Sequence, residues 1–171
     1  MNLENASHLV ARFVIGEVDP KEIVDWAISC LQRGIDSPTL PVVAGYTEVE
    51  CSRDTLDFRD DVAKLFGELG FVLPSVNDAR EIFAGYLCEG ILDNSLSGDK
   101  AHFELYELWR ESNCQPELTY NSRLEPFMYL SDSLGLVEMG EEPVVSGLTI
   151  ENYPDYLKKE CARYLEGENC K

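Results

Sequence analysis

Apolar side chains recur along this chain at intervals of three and four, the spacing of one face of a helix. Leu3, Ala6, Val10, Phe13 and Val14 make the first stripe, and Gly16 ends it. Asp19-Pro20-Lys21-Glu22 opens a second helix: Asp19 suits the cap, Pro20 the first helical position, and Glu22 the return half of a capping box. Its inward stripe is Ile23, Trp26, Ala27, Cys30 and Leu31, with Gly34 as the stop. So short a connection predicts that these two helices pair as an antiparallel hairpin. Ser37-Pro38 begins a short third helix that Gly45 closes and Pro41 holds close to a turn.

The same punctuation continues. A fourth helix over about 54–69 turns Phe58, Val62, Leu65, Phe66 and Leu69 inward and stops at Gly70. Ser75 caps a fifth, striped by Val76, Ala79, Phe83, Tyr86, Leu87 and Gly90. DNSLSGDK leads to a sixth around Leu105, Leu108 and Trp109. Ser122-Arg123-Leu124-Glu125 has the form of a capping box and opens a seventh through Phe127, Leu130 and Leu134 to Gly135. Within 136–150, LVEM and PVVS either pair as a short β-hairpin near 136–148 or form an ordered loop, and the loop is favoured. Asn152 is placed to cap a last helix with Leu157, Cys161, Tyr164 and Leu165 inward, and the tail beyond Gly167 is expected to fray. The pattern predicts an all-α protein: one compact domain over 1–171, with seven or eight helices packed as antiparallel hairpins. LVARFVIGEVD and IFAGYLCEGILD end alike, which fits either a duplicated hairpin or the generic way helices stop.

Charge changes the picture more than length does. The 171 residues carry 14 Lys+Arg against 32 Asp+Glu, a net charge of -18, yet 44% are hydrophobic and 10% aromatic. Disordered acidic chains lack that apolar content, so here the negative field belongs to a folded surface. Such a field repels nucleic acid and anionic lipid and attracts basic proteins. No stretch approaches the roughly 18 apolar residues of a membrane span. MNLENASHLVARFVIG has no basic leader or unbroken apolar run, and the expectation is a cytoplasmic protein.

Candidate chemistry is sparse. Six cysteines never form C-x-x-C, and Cys30, Cys88 and Cys161 fall on apolar stripes as small core residues. His8 and His102 are too few and too far apart for a zinc site, and neither metal nor cofactor is expected. Residues 93–104 resemble an EF-hand loop, with Asp93 first, Ser95 third, Ser97 fifth, Gly98 sixth and Glu104 twelfth. Lys100 departs from that pattern, as do the serines. No Walker loop, G-x-S-x-G, H-E-x-x-H or G-x-G-x-x-G occurs, and Cys114 with His102 has no supporting signature; no catalytic residue is assigned. Tyr46, Tyr120, Tyr129, Tyr153 and Tyr156 sit near acids and turns, suited to an interface or to helix packing, whereas Trp26 and Trp109 belong to apolar stripes.

The acids are concentrated. EVECSRDTLDFRDD, residues 48–61, sets six acids against two arginines, and on a helix Asp54, Asp57 and Asp61 share one face. Residues 124–157 hold seven acids and no Lys or Arg, with Glu138, Glu141 and Glu142 clustered before Pro143. Like charges oppose compaction, so a basic partner is the simplest compensation. Size, charge and helical build, together with the capped hairpin ARFVIGEVDPKEIVDWA, make the chain similar to the immunity proteins of bacterial toxin systems. The likeness is one of type rather than of motif. It implies a non-enzymatic inhibitor of a basic protein, often a nuclease toxin. The expected contact surfaces are Asp54, Asp57, Asp60 and Asp61 on one helix and Glu138, Glu141 and Glu142 on a loop. A helical scaffold with a peptide groove, or a small-ligand domain or enzyme assembled between helices, are the alternatives.

Overall fold

A computed structural model describes residues 6–47, 56–115 and 118–167. These form eight α-helices and a 3-10 turn at Ser122–Leu124, with no strand among the described residues. The helices are α1 Ser7–Ile15, α2 Pro20–Gln32, α3 Leu40–Ala44, α4 Leu56–Glu68, α5 Val76–Leu92, α6 Gly98–Cys114, α7 Glu125–Glu138 and α8 Tyr153–Glu166. The all-α architecture is the one the periodicity predicts. Backbone proximity divides the chain into two compact units, Met1–Ile82 and Phe83–Lys171, and the division falls inside α5 rather than in a linker.

In the first unit Phe66 is the hub of the core. Its ring meets Phe13 edge-on at 5.5 Å, Trp26 at 5.6 Å and Phe71 at 6.1 Å. Leu9, Ile23, Leu40, Val43, Phe58, Val62 and Leu65 fill the space around it. Asp19 caps α2 by accepting from the Lys21 N–H at 2.9 Å, as its sequence predicts. Glu22 does not close the box. Both of its oxygens accept from the Arg12 Nη1, at 2.7 and 2.9 Å, because a charged guanidinium N–H offers a stronger partner than one more amide. That pair ties α1 to α2, while α3 packs against both α2 and α4.

In the second unit α6, α7 and α8 pack on one another. Leu105, Leu108, Leu124, Phe127, Leu130, Leu157 and Cys161 are buried. Three sequence expectations shift here. Asn121, not Ser122, caps the segment by accepting from the Arg123 N–H at 3.0 Å, and 122–124 winds as a 3-10 turn before α7. Gly135 does not stop α7, because its backbone keeps a negative φ and the helix gives up only propensity at that position. The stop is Gly140, at φ 77°, where Glu141 N–H reaches Leu136 O at 2.8 Å and Gly140 N–H reaches Val137 O at 3.0 Å. These two bonds make a Schellman motif, which needs a left-handed residue. The segment 136–148 therefore completes a helix and turns, and no hairpin forms. Asn152 makes no cap for α8; its side chain shapes the preceding loop instead.

Candidate functional site

The first acidic face lies on α4, in the first unit. Asp57 and Asp60 are exposed, as a helix with Phe58, Val62 and Leu65 inward requires. Asp61 is half-buried and accepts from the Tyr46 hydroxyl at 2.8 Å, while the Tyr46 ring meets Phe58 edge-on at 5.1 Å. One carboxylate of the set thus holds the chain after α3 against α4, leaving two to face solvent. Asp54 lies outside the described residues.

The second face, in the second unit, is the better built. Glu138 ends α7, and Glu141 and Glu142 follow through the Schellman turn; all three are exposed. No basic residue occupies the last turn of α7. Carboxylates here sit at the negative end of the helix dipole, where anions are disfavoured by about 0.3–1 kcal/mol each. The loop that carries them onward is pinned along its length. The Val145 N–H donates to the buried Ser133 Oγ at 2.9 Å, and Tyr156 OH to the Ser146 carbonyl at 3.2 Å. Thr149 N–H donates to Asn152 Oδ1 at 2.8 Å, and Asn152 Nδ2 to the Gly147 carbonyl at 2.9 Å. Leu148 plugs inward at 3% exposure. From this braced loop Met139 (70%), Val144 (59%) and Ile150 (56%) stand into solvent among Glu138, Glu141, Glu142 and Glu151. The sequence marked the acids but missed the apolar trio. Met139 and Ile150 have no periodic stripe to betray them, and Val144 lies in PVVS, which the pattern reads as an ordered loop in preference to a short hairpin.

Several other titratable groups are turned into the fold. His102, considered beside Cys114, faces inward: Nε2–H donates to the Phe127 carbonyl at 2.7 Å, and Nδ1 accepts from Tyr153 OH at 2.6 Å. A carbonyl only accepts, so Nε2 carries a proton, and burial, which disfavours the imidazolium, leaves Nδ1 as the acceptor. Burial holds its pKa below the usual histidine range, against the opposing Phe127 carbonyl and Asp99. Cys114 is exposed. Tyr153, suited by sequence to an interface or to helix packing, is buried, and burial pushes its phenol up. Tyr46 and Tyr156 are half-buried, whereas Tyr120 and Tyr129 are exposed. Cys30, Cys88 and Cys161 are buried free thiols.

The EF-hand likeness of 93–104 stops at the letters. Helix α6 already begins at Gly98, so the loop positions from the sixth onward are helical. The turn is made by Asn94 at φ 60°, and Lys158 Nζ donates to its Oδ1 at 2.8 Å. Among the described residues no three His, Cys, Asp or Glu side chains gather to hold a metal ion. No described helix is long and apolar enough to cross a membrane. No known family, curated protein or solved structure matches the chain.

Proposed function

We propose that this protein is a non-enzymatic, acidic protein-binding protein: an immunity-type inhibitor that docks against a basic partner such as a bacterial toxin. The observation that carries this reading is the end of α7. Three exposed carboxylates are held at the electrostatically wrong end of a helix, on a hydrogen-bonded loop that also exposes three large apolar side chains. A surface serving solubility alone needs neither the bracing nor Met139, Val144 and Ile150. A docking surface needs all three features. Carboxylates steer a cationic partner, apolar anchors hold it, and a pre-ordered loop reduces the entropy lost on binding. Within the Met1–Ile82 unit, Asp57 and Asp60 are the exposed carboxylates available for the same steering.

Capture of partners on the immobilised chain, eluted by raised ionic strength and identified by mass spectrometry, supplies the ligand for the test. Glu141→Lys with Glu142→Lys then lowers the association rate about tenfold or more at low salt. Met139→Ala and Ile150→Ala instead raise the dissociation rate and leave association nearly unchanged. Retention only of partners that bind independently of salt, and of these substitutions, refutes the reading.

A further inference from the structure

A second feature of the Phe83–Lys171 unit is aromatic. Tyr106 and Trp109 on α6 have ring centroids 5.9 Å apart. Tyr120, ahead of the 3-10 turn, donates its hydroxyl hydrogen to Glu125 Oε1 at the start of α7. Tyr129 follows Glu125 by one helical turn on the same face, near enough to Tyr120 for the phenols to interact electrostatically. The Trp109 indole also acts on the Tyr120 phenol, yet its buried N–H completes no hydrogen bond of normal geometry. Tyr120 (45%) and Tyr129 (42%) open to solvent, while Trp109 and Glu125 are half-buried.

Aromatic faces carry negative quadrupoles, and beside a carboxylate they favour a flat, delocalised cation. The nearby arginines are committed elsewhere. Arg110 pairs with Glu107, and Arg123 bonds the Tyr164 carbonyl with its guanidinium 4.2 Å from the Tyr164 ring centroid. The stretch 124–157 adds seven acids and no base to the local field. Guanidinium suits this place better than ammonium, because it stacks on rings and is more weakly hydrated at a half-buried carboxylate. We propose that Trp109, Tyr120, Tyr129 and Glu125 form a docking site for an arginine side chain of a basic protein partner. The guanidinium stacks on the tyrosine faces and shares the Glu125 carboxylate. The site rests on the docking reading above for the owner of that arginine.

The chain has two tryptophans, and Trp26 is buried in the other unit, so it serves as an internal control. The full chain, labelled with nitrogen-15, is titrated with N-acetyl-arginine amide at millimolar concentration, with the citrulline and lysine amides in parallel. The Trp109 indole cross-peak is expected to shift saturably with arginine, several-fold less with lysine and not with neutral citrulline, while Trp26 stays still. Tyr120→Leu and Tyr129→Leu, both at exposed positions, each weaken the response about threefold, and together about tenfold. An equal response to citrulline or lysine, a static Trp109, or an unchanged double variant overturns the site. Those failures beside a salt-dependent partner association leave the docking reading standing. An arginine response beside a salt-independent association removes the docking reading instead.

Discussion

Glu68 shows how much a single carboxylate organises. It closes α4 and accepts three hydrogen bonds: from Ser37 Oγ, from the Thr39 N–H at 2.9 Å and from Thr39 Oγ1 at 2.7 Å. Those donors fix the turn before α3 and hold the carboxyl down at about 2 from an ordinary 4.5. A depressed carboxylate pKa stabilises the folded state above the unfolded value and loses that contribution as pH falls through the folded one. Glu68→Gln is therefore expected to lower the melting temperature at pH 7, and the gap to wild type should close between about pH 4.5 and 2 in parallel thermal melts. A pH-independent gap would assign the effect to packing. His102 works in the same direction at higher pH. Its folded pKa lies below 6.5, so its contribution is complete above 6.5 and declines as the pH drops through the folded value. Tyr153→Phe leaves Nδ1 without its donor, an expected loss of about 1–3 kcal/mol in denaturant unfolding. The same variant should shift the His102 titration followed by NMR. Neither role was legible in the sequence, because Ser37 and Glu68, or His102 and Tyr153, are distant along the chain and joined only by packing.

At the scale of elements the sequence was far more readable, for a physical reason: helix periodicity and caps are local. Asp19-Pro20, the Phe58–Phe66 stripe and Gly70 all act where their spacing places them. Errors arose where a signal had a competing use. Val76 continues the α5 stripe by spacing yet is 45% exposed, because it stands in the first turn where the stripe has not reached the core. Gly135 looked like a terminator, but only Gly140 has the left-handed backbone that a Schellman stop requires. Glycines inside helices offer a sharp contrast. A Cβ on Gly67 would meet nothing within 4 Å, whereas one on Gly90 would overlap Leu96 Cδ1 and lie 3.1 Å from Leu96 Cβ. Gly67→Ala should stabilise by about 0.5–1 kcal/mol in urea unfolding. Gly90→Ala should destabilise by about 1–2 kcal/mol despite the same gain in helix propensity, since Leu96 must move. Equal outcomes would mean that Leu96 does not fold back over α5.

For the whole molecule, the central quantity is a net charge of -18 carried by a folded chain. Self-repulsion predicts that moderate salt raises the melting temperature of the free protein. The candidate surface was half legible: composition located Glu138, Glu141 and Glu142, but their position at a helix end, and the apolar side chains beside them, emerge only once α7 is seen to run to Glu138. The consequence is a trade between stability and binding. Removing carboxylates from the α7 terminus should stabilise the free protein by about 0.3–1 kcal/mol each while weakening association with the partner. Ordinary solvating acids would show no such opposition.

The most direct measurement is the association rate of the captured partner with wild type and with the Glu138→Gln, Glu141→Lys, Glu142→Lys protein, each followed by stopped flow from low to physiological salt. Docking through the α7 terminus predicts a wild-type rate that falls steeply with salt, and a variant that is slower at low salt, flatter in its response and at least as heat-stable. Superimposable salt profiles for the two proteins would show that the partner is not drawn to this surface.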